Sequence, residues 1–251
     1  MNCKMPLITI IVPVYNSRDT ISAALNSILC QSFSDWECFV VDGASKDNTL
    51  EIVKFFCDID SRFGYISEED KGIYDAFNKG WKLAKGEWIY YLGSDDTLTP
   101  DGLKRISTEL DTSYAVVTGD VYLKSFDGSI REQYAKGFWG CHQGVIMQRD
   151  VIEKMGGFDE KYRIIADYDL LVRTWREGFK AKNVRVFLAY FYLGGTSQNI
   201  STQFKVLKER YRIDKENMVM KMPLLHSIKE FFLMCFFNLL RRSQKFLKNN
   251  K

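Results

Sequence analysis

The sequence lacks the usual marks of secreted, membrane-spanning and metal-cluster proteins. Its six cysteines are scattered, with no Cys-x-x-Cys pair or other metal-ligand spacing, which indicates reduced thiols and no disulfide framework. No stretch approaches the roughly 20 apolar residues that a membrane span needs. No secretory signal is evident, because the first apolar run, 7–14, is interrupted by Pro13 and has no small-residue cleavage site. We therefore expect a cytoplasmic protein.

A strong excess of one charge is also missing, since the formal net charge is only +3. The charge is unevenly spread, however. Residues 203–251 contain 12 Lys and Arg against 4 Asp and Glu, so the first 202 residues carry a net charge of −5. This asymmetry predicts an anionic partner for the C-terminal segment, and we expect no nucleic-acid partner. Repeats and low-complexity segments are absent, and the length fits one large domain with an extension.

Strands and helices alternate in the first half of the chain. Apolar runs predict strands over 7–14, 36–41, 63–66 and 87–92, with helices between them that have apolar residues at helical spacing. Asn48-x-x-Glu51 resembles a capping box, and Thr99-Pro100 predicts the start of a further helix. This alternation predicts an α/β fold with a mostly parallel, doubly wound central sheet flanked by helices.

The second half has a different pattern. Two strands over 115–123 and 130–134 flank a predicted hairpin turn, and a strand is predicted over 145–147. Helices are predicted over 151–155 and from Asp167, followed by short strands over 184–186 and 188–191. Since no Pro/Gly-rich linker interrupts the chain, we expect one continuous domain to about residue 200.

Polar residues follow the predicted strands of the first half. These strand ends are Tyr15-Asn16, Asp42-Gly43, Glu68-Glu69-Asp70 and Ser94-Asp95-Asp96. Because ligands of such sheets bind at the carboxyl ends of the strands, we expect all four to face one crevice. The paired carboxylates Asp95 and Asp96 suit a divalent cation that holds a diphosphate, although an ordinary polar turn is the alternative.

Three of these residues each have a second interpretation. Tyr15 could pack beside a base or ribose, or be a core tyrosine. Asp42 could accept hydrogen bonds from a pyrimidine or a ribose hydroxyl, or cap the next helix. Lys71, which follows Asp70 just before a helix where anions are favoured, could instead be a solvated surface lysine.

Four short blocks, in this order and spacing, resemble the family 2 glycosyltransferases of the GT-A fold, in particular the bacterial surface-polysaccharide branch. The blocks are residues 12–16 (VPVYN), 41–47 (VDGASKD), 70–80 (DKGIYDAFNKG) and 92–96 (LGSDD). The resemblance implies a GT-A catalytic domain over 1–202. Its donor half would span about 1–110 and its acceptor half about 111–202, followed by a basic helical extension over 203–251.

The resemblance also implies roles for particular residues in binding a nucleotide-sugar, usually a UDP-sugar. Its donor-binding set comprises Pro13, Tyr15, Asn16, Asp42 (toward the base), Asp70, Lys71, Ser94 and Asp95. Asp95 would bind Mg²⁺ or Mn²⁺, with Asp96 as a less certain second ligand. The family motif has an aspartate where this chain has Gly93, which leaves the ribose-side contact open.

Asp167 matches the proposed base of an inverting transfer, where a carboxylate takes the acceptor proton. The family's preceding glutamate is Ala166 here, and Asp167 could instead be only a helix cap. His142 and Gln143 could face the sugar or the phosphates, or be structural. Trp139 could form the floor of an acceptor site, or be a packed aromatic.

Residues 228–251 combine aromatic and basic residues, which suits a helix lying on an anionic membrane surface; packing on its own domain is the alternative. We therefore predict a peripheral enzyme at the inner membrane face that uses a lipid-linked saccharide acceptor. The competing hypotheses are a sugar-nucleotide nucleotidyltransferase, a non-catalytic membrane scaffold of the same fold, and a GDP- or dTDP-sugar donor. A nucleotidyltransferase would normally have a Gly-rich loop after its first strand, which residues 15–18 do not form.

Overall fold

The structure, a computed structural model, describes residues 5–125, 127–193 and 200–219. The chain divides into two compact units between residues 195 and 196. The strands all belong to the first unit, and the described part of the second unit contains one helix. The predicted domain boundary at residue 202 stays a prediction.

The first half forms the alternating elements that the sequence predicts, with bounds that differ by only a few residues. These elements are β1 (Ile8–Val14), α1 (Ile21–Leu29), β2 (Trp36–Asp42), α2 (Thr49–Ile59), β3 (Phe63–Ser67), α3 (Ile73–Leu83) and β4 (Trp88–Tyr91). Strand β1 is buried along its whole length, as expected for a strand that is covered on both faces.

The second half completes the sheet. Its elements are β5 (Thr97–Leu98), α4 (Gly102–Ser107), β6 (Val116–Lys124), β7 (Ile130–Gln133), a 3₁₀ turn (His142–Gly144), β8 (Val145–Gln148), α5 (Arg149–Lys154), α6 (Ala166–Arg176) and β9 (Ala181–Tyr192). The predicted hairpin is confirmed, because β6 and β7 pair antiparallel. The two short strands predicted over 184–191 are one 12-residue strand, β9.

All these strands share one sheet, in the order β3-β2-β1-β4-β8-β6-β9-β5, with β7 paired to β6. The pairings among β1 to β4 are parallel. Among the described strands beyond β4, β6 and β9 pair parallel and the other pairings are antiparallel. The sheet is therefore parallel in the half for which the βα alternation predicts it, and mixed beyond β4.

One predicted helix start and one predicted helix cap are corrected by the structure. Helix α4 begins at Gly102 and not at Thr99-Pro100, because the Thr99 hydroxyl donates to the Phe187 carbonyl (2.6 Å) and holds Thr99 at the sheet. Helix α2 begins beside Asn48 as predicted, but Asn48 makes no side-chain capping bond. Instead, Asp47 Oδ1 accepts from the Thr49 backbone N–H (3.0 Å) and hydroxyl (2.5 Å).

The second unit contains helix α7 (Ile200–Glu216). Residues 228–251, to which the membrane-surface prediction refers, lie outside the described residues. No helix within the described ranges is both long enough and apolar enough to cross a membrane. The described cysteines, Cys30, Cys38, Cys57 and Cys141, are free thiols, as predicted.

Candidate active site

The polar ends of the parallel strands meet at one edge of the sheet. After β2, the Gly43 N–H donates to the Val14 carbonyl at the end of β1 (2.9 Å). A Cβ on Gly43 would lie 2.6 Å from Asp70 Oδ2, so only glycine allows this carboxylate to approach. The Ser17 and Ser94 hydroxyls are hydrogen-bonded (3.0 Å) and join the loops after β1 and β4. The predicted polar strand ends therefore lie close together, and a ligand-binding crevice between them stays a prediction.

The loop after β1 directs its two predicted site residues differently. Tyr15 is 62% exposed and free to pack beside a ligand. Asn16 has a left-handed backbone (φ 50°), which asparagine tolerates better than most residues. Its Oδ1 accepts from the Lys46 N–H (2.8 Å), and its own N–H donates to Ser45 Oγ (2.8 Å). Asn16 thus links two loops, while Pro13 is buried within β1.

Asp42 is fully buried at the end of β2. Its oxygens accept from the hydroxyls of Ser45 (2.5 Å) and Ser67 (2.6 Å). These bonds tie the ends of β2 and β3 together, so Asp42 organises the crevice wall and does not cap the next helix. A contact between Asp42 and a nucleobase stays a prediction.

Asp70 and Lys71 lie at the entrance to α3. Asp70 Oδ1 accepts from the Gly72 N–H (3.0 Å), and the Lys71 N–H donates to Asp75 Oδ2 (2.9 Å). Gly72 has φ 131°, a conformation that side-chain-bearing residues rarely adopt, so glycine is required for this turn. The Lys71 residue is exposed, which leaves its ammonium group available to an anion.

The two adjacent carboxylates after β4 have opposite surroundings. Asp95 is exposed, whereas Asp96 is only 1% exposed. Asp96 Oδ1 accepts from the Tyr192 N–H (2.9 Å) and Oδ2 from Gln143 Nε2 (2.7 Å). Burial, with a smaller contribution from the Asp95 charge, raises the pKa of Asp96 to about 7. Asp95 is therefore the carboxylate that remains accessible to a ligand, and Asp96 anchors the turn.

The inward position of Asp96 explains Gly93. A Cβ at Gly93 would lie 2.5 Å from Asp96 Oδ2 and 3.0 Å from Asp95 Oδ1. An aspartate cannot occupy position 93 while Asp96 keeps these bonds. The departure from the family motif is thus coupled to the hydrogen-bonding of the next carboxylate.

Asp167 is oriented from two sides. Its Oδ1 accepts from the Tyr74 hydroxyl (2.9 Å), and its Oδ2 lies 3.5 Å from His142 Nδ1. Helix α6 begins at Ala166, with Ile165 at the cap position, so Asp167 lies within the first turn and is not the cap. Its side chain keeps 29% exposure, so it remains accessible to a substrate hydroxyl.

His142 and Gln143 join the two acidic positions. The His142 ring stacks on Phe77 (centroids 5.3 Å apart), and its Nδ1 faces Asp167. The next residue, Gln143, donates to Asp96 and accepts from the buried Tyr90 hydroxyl through its carbonyl (2.8 Å). The structure therefore places this pair behind the two carboxylates. Direct contact of either residue with a substrate stays a prediction.

Trp139 contacts Tyr168, the residue after Asp167, and both of its predicted roles, acceptor floor and packed aromatic, stay open. It is 40% exposed, and its ring centroid is 5.5 Å from that of Tyr168 on α6. The exposed part of the ring could form a floor for a sugar, while its contact with Tyr168 is ordinary packing.

A pocket of about 490 Å³ opens beside Asp95. Its lining includes Thr20 from the start of α1, Lys124 from the end of β6 and Tyr192 from the end of β9. Lys124 Nζ donates to the Tyr192 hydroxyl (2.9 Å). The volume suits a small-molecule ligand, and the lining is mostly apolar with a few hydroxyl and charged groups.

Two residues of α3 contribute to the site but are not among the site residues predicted from the sequence. Tyr74 orients Asp167, and buried Asn78 bonds both backbone groups of Phe158, each at 2.9 Å. Both lie within the 70–80 block, and their polar groups at helical spacing beside Phe77 were the only available signal. Their partners belong to the other half of the chain.

The donor set fits a metal that is shared with a diphosphate better than a metal held by protein alone. Within the described parts of the chain, no group of three or more His, Cys, Asp or Glu side chains could hold a metal ion. Mg²⁺ commonly binds through one or two carboxylates together with substrate phosphates. The exposed carboxylate of Asp95 meets that requirement.

Curated relatives agree with this architecture. The model for glycosyl transferase family 2 matches residues 9–210. A PGL/p-HBAD biosynthesis glycosyltransferase of Mycobacterium bovis is 32% identical over 208 residues, which cover 78% of this chain and 80% of that protein. The putative teichuronic acid biosynthesis glycosyltransferase TuaG of Bacillus subtilis is 34% identical over 131 residues, covering 51% of this chain and 52% of TuaG.

Solved structures show the same fold. S. aureus TarS 1–349 in complex with UDP-GlcNAc matches with a TM-score of 0.70 and 19% identity, covering 88% of this chain and 69% of that one. The mannosyltransferase PcManGT of Pyrobaculum calidifontis, in complex with GDP-Man and Mn²⁺, matches with a TM-score of 0.66 and 18% identity, covering 90% and 69%. The GT-A fold expectation is confirmed, and the chain is an enzyme of glycosyltransferase family 2.

Proposed function

We propose that this enzyme is a metal-dependent, inverting glycosyltransferase. It transfers a sugar from a UDP-sugar to a lipid-linked saccharide in surface polysaccharide biosynthesis. The observation that carries the proposal is that one short turn contacts both acidic positions. Gln143 donates to Asp96, the neighbour of exposed Asp95, and the adjacent His142 faces the oriented carboxylate of Asp167. The name of the TuaG relative supports the polysaccharide assignment.

The donor would bind across the ends of the parallel strands. Exposed Tyr15 is available to pack beside the base, and Asp70 would supply an acceptor on the same side. Buried Asp42, which already accepts from Ser45 and Ser67, would support the wall behind the base. Lys71, at the entrance to α3, would attract the phosphates, which helix N-termini also favour. TarS 1–349 in complex with UDP-GlcNAc supports UDP, while PcManGT in complex with GDP-Man makes GDP the alternative to test.

Asp95 would be the protein ligand of Mg²⁺ or Mn²⁺, with diphosphate oxygens completing the coordination. A bound cation would neutralise charge on the leaving diphosphate. The Ser17–Ser94 hydrogen bond would hold the Asp95 loop against the loop that follows β1. The role of Asp96 as a second ligand stays a prediction, because both of its oxygens accept N–H groups of the protein.

Asp167 would take the proton from the attacking acceptor hydroxyl. Tyr74 and His142 fix the carboxylate from opposite oxygens, and the buried methyl group of Ala166 adds no competing charge. Positioned general bases typically contribute about 10²–10⁴-fold to rate. Because attack occurs from the side opposite the leaving diphosphate, the product has inverted configuration.

The acceptor side is proposed to lie between exposed Trp139 and the pocket of about 490 Å³ beside Asp95. A lipid-carried acceptor agrees with the basic, aromatic composition of residues 228–251. Deleting residues 228–251 should release the protein from vesicles of anionic lipid. Unchanged sedimentation with the vesicles would reject the membrane-surface proposal.

Titration calorimetry tests the donor and the metal together. We expect UDP to bind in the presence of Mn²⁺ or Mg²⁺ and much more weakly without metal, and GDP and dTDP to bind more weakly than UDP. Equal nucleotide affinity with and without the metal would reject metal dependence. Tighter binding of GDP or dTDP than of UDP would assign a GDP-sugar or a dTDP-sugar as the donor instead.

Asp167→Asn tests the base. The variant should bind UDP and metal normally but lose about 10²–10⁴-fold in transfer. Asp150→Asn, on an exposed carboxylate of α5, is the matched control and should be fully active. Transfer at the normal rate by Asp167→Asn would show that another residue is the base.

A further inference from the structure

A small cavity lies behind the candidate base. Its volume is about 20 Å³, and its lining includes Tyr91, His142, Phe158 and Asp167. A cavity needs roughly 10–15 Å³ to hold one water molecule, and the water needs polar partners. The size therefore admits a single water, and three of the nine lining residues, Tyr91, His142 and Asp167, supply polar groups in an otherwise apolar lining.

Two buried polar atoms belong to residues that line this cavity. Tyr91 Oη and His142 Nε2 are both inaccessible to solvent and have no hydrogen-bond partner within the part of the chain that the structure describes. The centroids of the two rings are 5.8 Å apart. Buried polar groups in native proteins are nearly always paired with protein or ordered water. Because both residues line the same cavity, a single water there is the candidate partner for both atoms.

The hydrogen-bonding chemistry of His142 fixes the direction of that bridge. Burial lowers the pKa of His142, despite the opposing effect of Asp167, so the ring is neutral near pH 7. A neutral imidazole has one donor and one acceptor nitrogen. Nδ1 faces a carboxylate oxygen of Asp167 at 3.5 Å, so the proton belongs on Nδ1. Nε2 is then an acceptor and requires a donor.

We propose that one buried water occupies this cavity, accepts a hydrogen bond from the Tyr91 hydroxyl and donates one to His142 Nε2. The water holds His142 as the Nδ1–H tautomer, which donates to Asp167. His142 is then a positioning residue for Asp167, and Tyr91 acts through His142. The effect on turnover rests on the proposed role of Asp167 as base, whereas the water and the tautomer do not.

Nitrogen-15 NMR of the histidine rings tests the proposal directly. The chain contains only two histidines, His142 and His226, so a His226→Asn variant assigns the spectrum. In the wild type we expect a single neutral Nδ1–H tautomer for His142 and magnetisation transfer from a long-lived water to its ring. An Nε2–H tautomer, or no bound water, would overturn the proposal without any variant being needed.

Tyr91→Phe removes one partner of the water and keeps the aromatic ring. We expect mixed His142 tautomers, loss of the water signal, and a kcat lower by about tenfold with an unchanged KM for the donor. Tyr65→Phe, the same change on a half-exposed tyrosine of β3, is the control and should alter none of these. An unchanged His142 spectrum in a folded Tyr91→Phe protein would refute the bridge.

The two proposals fail in different ways. If the tautomer shifts in Tyr91→Phe but kcat does not, while Asp167→Asn abolishes transfer, Asp167 remains the base and the positioning role of His142 is wrong. If Asp167→Asn retains transfer, the base assignment fails, and the NMR result still decides on the water.

Discussion

Replacing Gly93 by alanine tests the geometry of the acidic turn. The new Cβ would lie 2.5 Å from Asp96 Oδ2 and 3.0 Å from Asp95 Oδ1. Asp96 cannot simply move aside, because Gln143 and the Tyr192 N–H hold its two oxygens. Gly93 is not among the positive-φ glycines, so the alanine backbone itself is unstrained. Any destabilisation must therefore come from the contact with the carboxylates.

Overpacking of this kind costs about 1–3 kcal/mol. The smaller conformational freedom of alanine in the unfolded chain offsets about 0.4–1 kcal/mol. We expect a net loss of about 1–2 kcal/mol in the free energy of unfolding, which lowers Tm by about 2–8 °C in a protein of this size. Because the displaced Asp95 is the proposed metal ligand, UDP affinity in Mn²⁺ should also fall.

Thermal unfolding of a double-mutant cycle with Asp96→Ala checks the reasoning. Removing the Asp96 carboxylate removes the shorter contact, so Gly93→Ala should cost much less in that background. Strict additivity of the two substitutions within about 0.5 kcal/mol would refute the contact argument. Gly93→Asp, which restores the family residue, should be worse than Gly93→Ala because it adds a third carboxylate to the turn.

Two further predictions concern buried polar groups. Since Asp96 has a pKa raised to about 7, the folded state binds its proton more tightly than the unfolded state does, and stability should fall as pH rises from about 4 to 7. Asp96→Asn should remove this decline, after a flip of the Gln143 amide, and Tm measured at pH 5 and 8 checks it; an unchanged pH profile would contradict the prediction. Asn78→Ala leaves both backbone groups of Phe158 unpaired and should cost about 2–5 kcal/mol in denaturant unfolding. The control Asn26→Ala, at an exposed amide, should cost under about 0.5 kcal/mol, and equal effects would contradict the account.

The strand ends could be predicted because they depend on local signals. Apolar runs of strand length that stop at Asp42 and at Ser94 predict both the strands and their polar ends. Parallel connectivity then brings those ends to one edge, whatever the details of packing. Asp167 could be placed at the start of a helix in the same way, because the apolar spacing of α6 begins there.

Side-chain direction at those ends could not be predicted, because it depends on distant partners. Asp95 and Asp96 are equivalent as neighbours in sequence. The burial of Asp96 depends on Gln143, which lies 47 residues away, and on the Tyr192 N–H, which lies 96 residues away. The sequence likewise predicts two short strands where the structure has the single strand β9. The pairing of β9 with β6, which extends along β9, cannot be read from the residues of β9 alone.

Adjacent residues of one short turn connect the two halves of the site. In the 3₁₀ turn, the His142 side chain reaches Asp167, and Gln143 reaches Asp96. Gly144 fixes the turn, because any Cβ there would collide with the backbone of β6. A shift of this backbone would therefore move the partners of both carboxylates at once. A single segment therefore holds the hydrogen-bond partner of Asp96 and the neighbour of the candidate base, Asp167, at a fixed spacing.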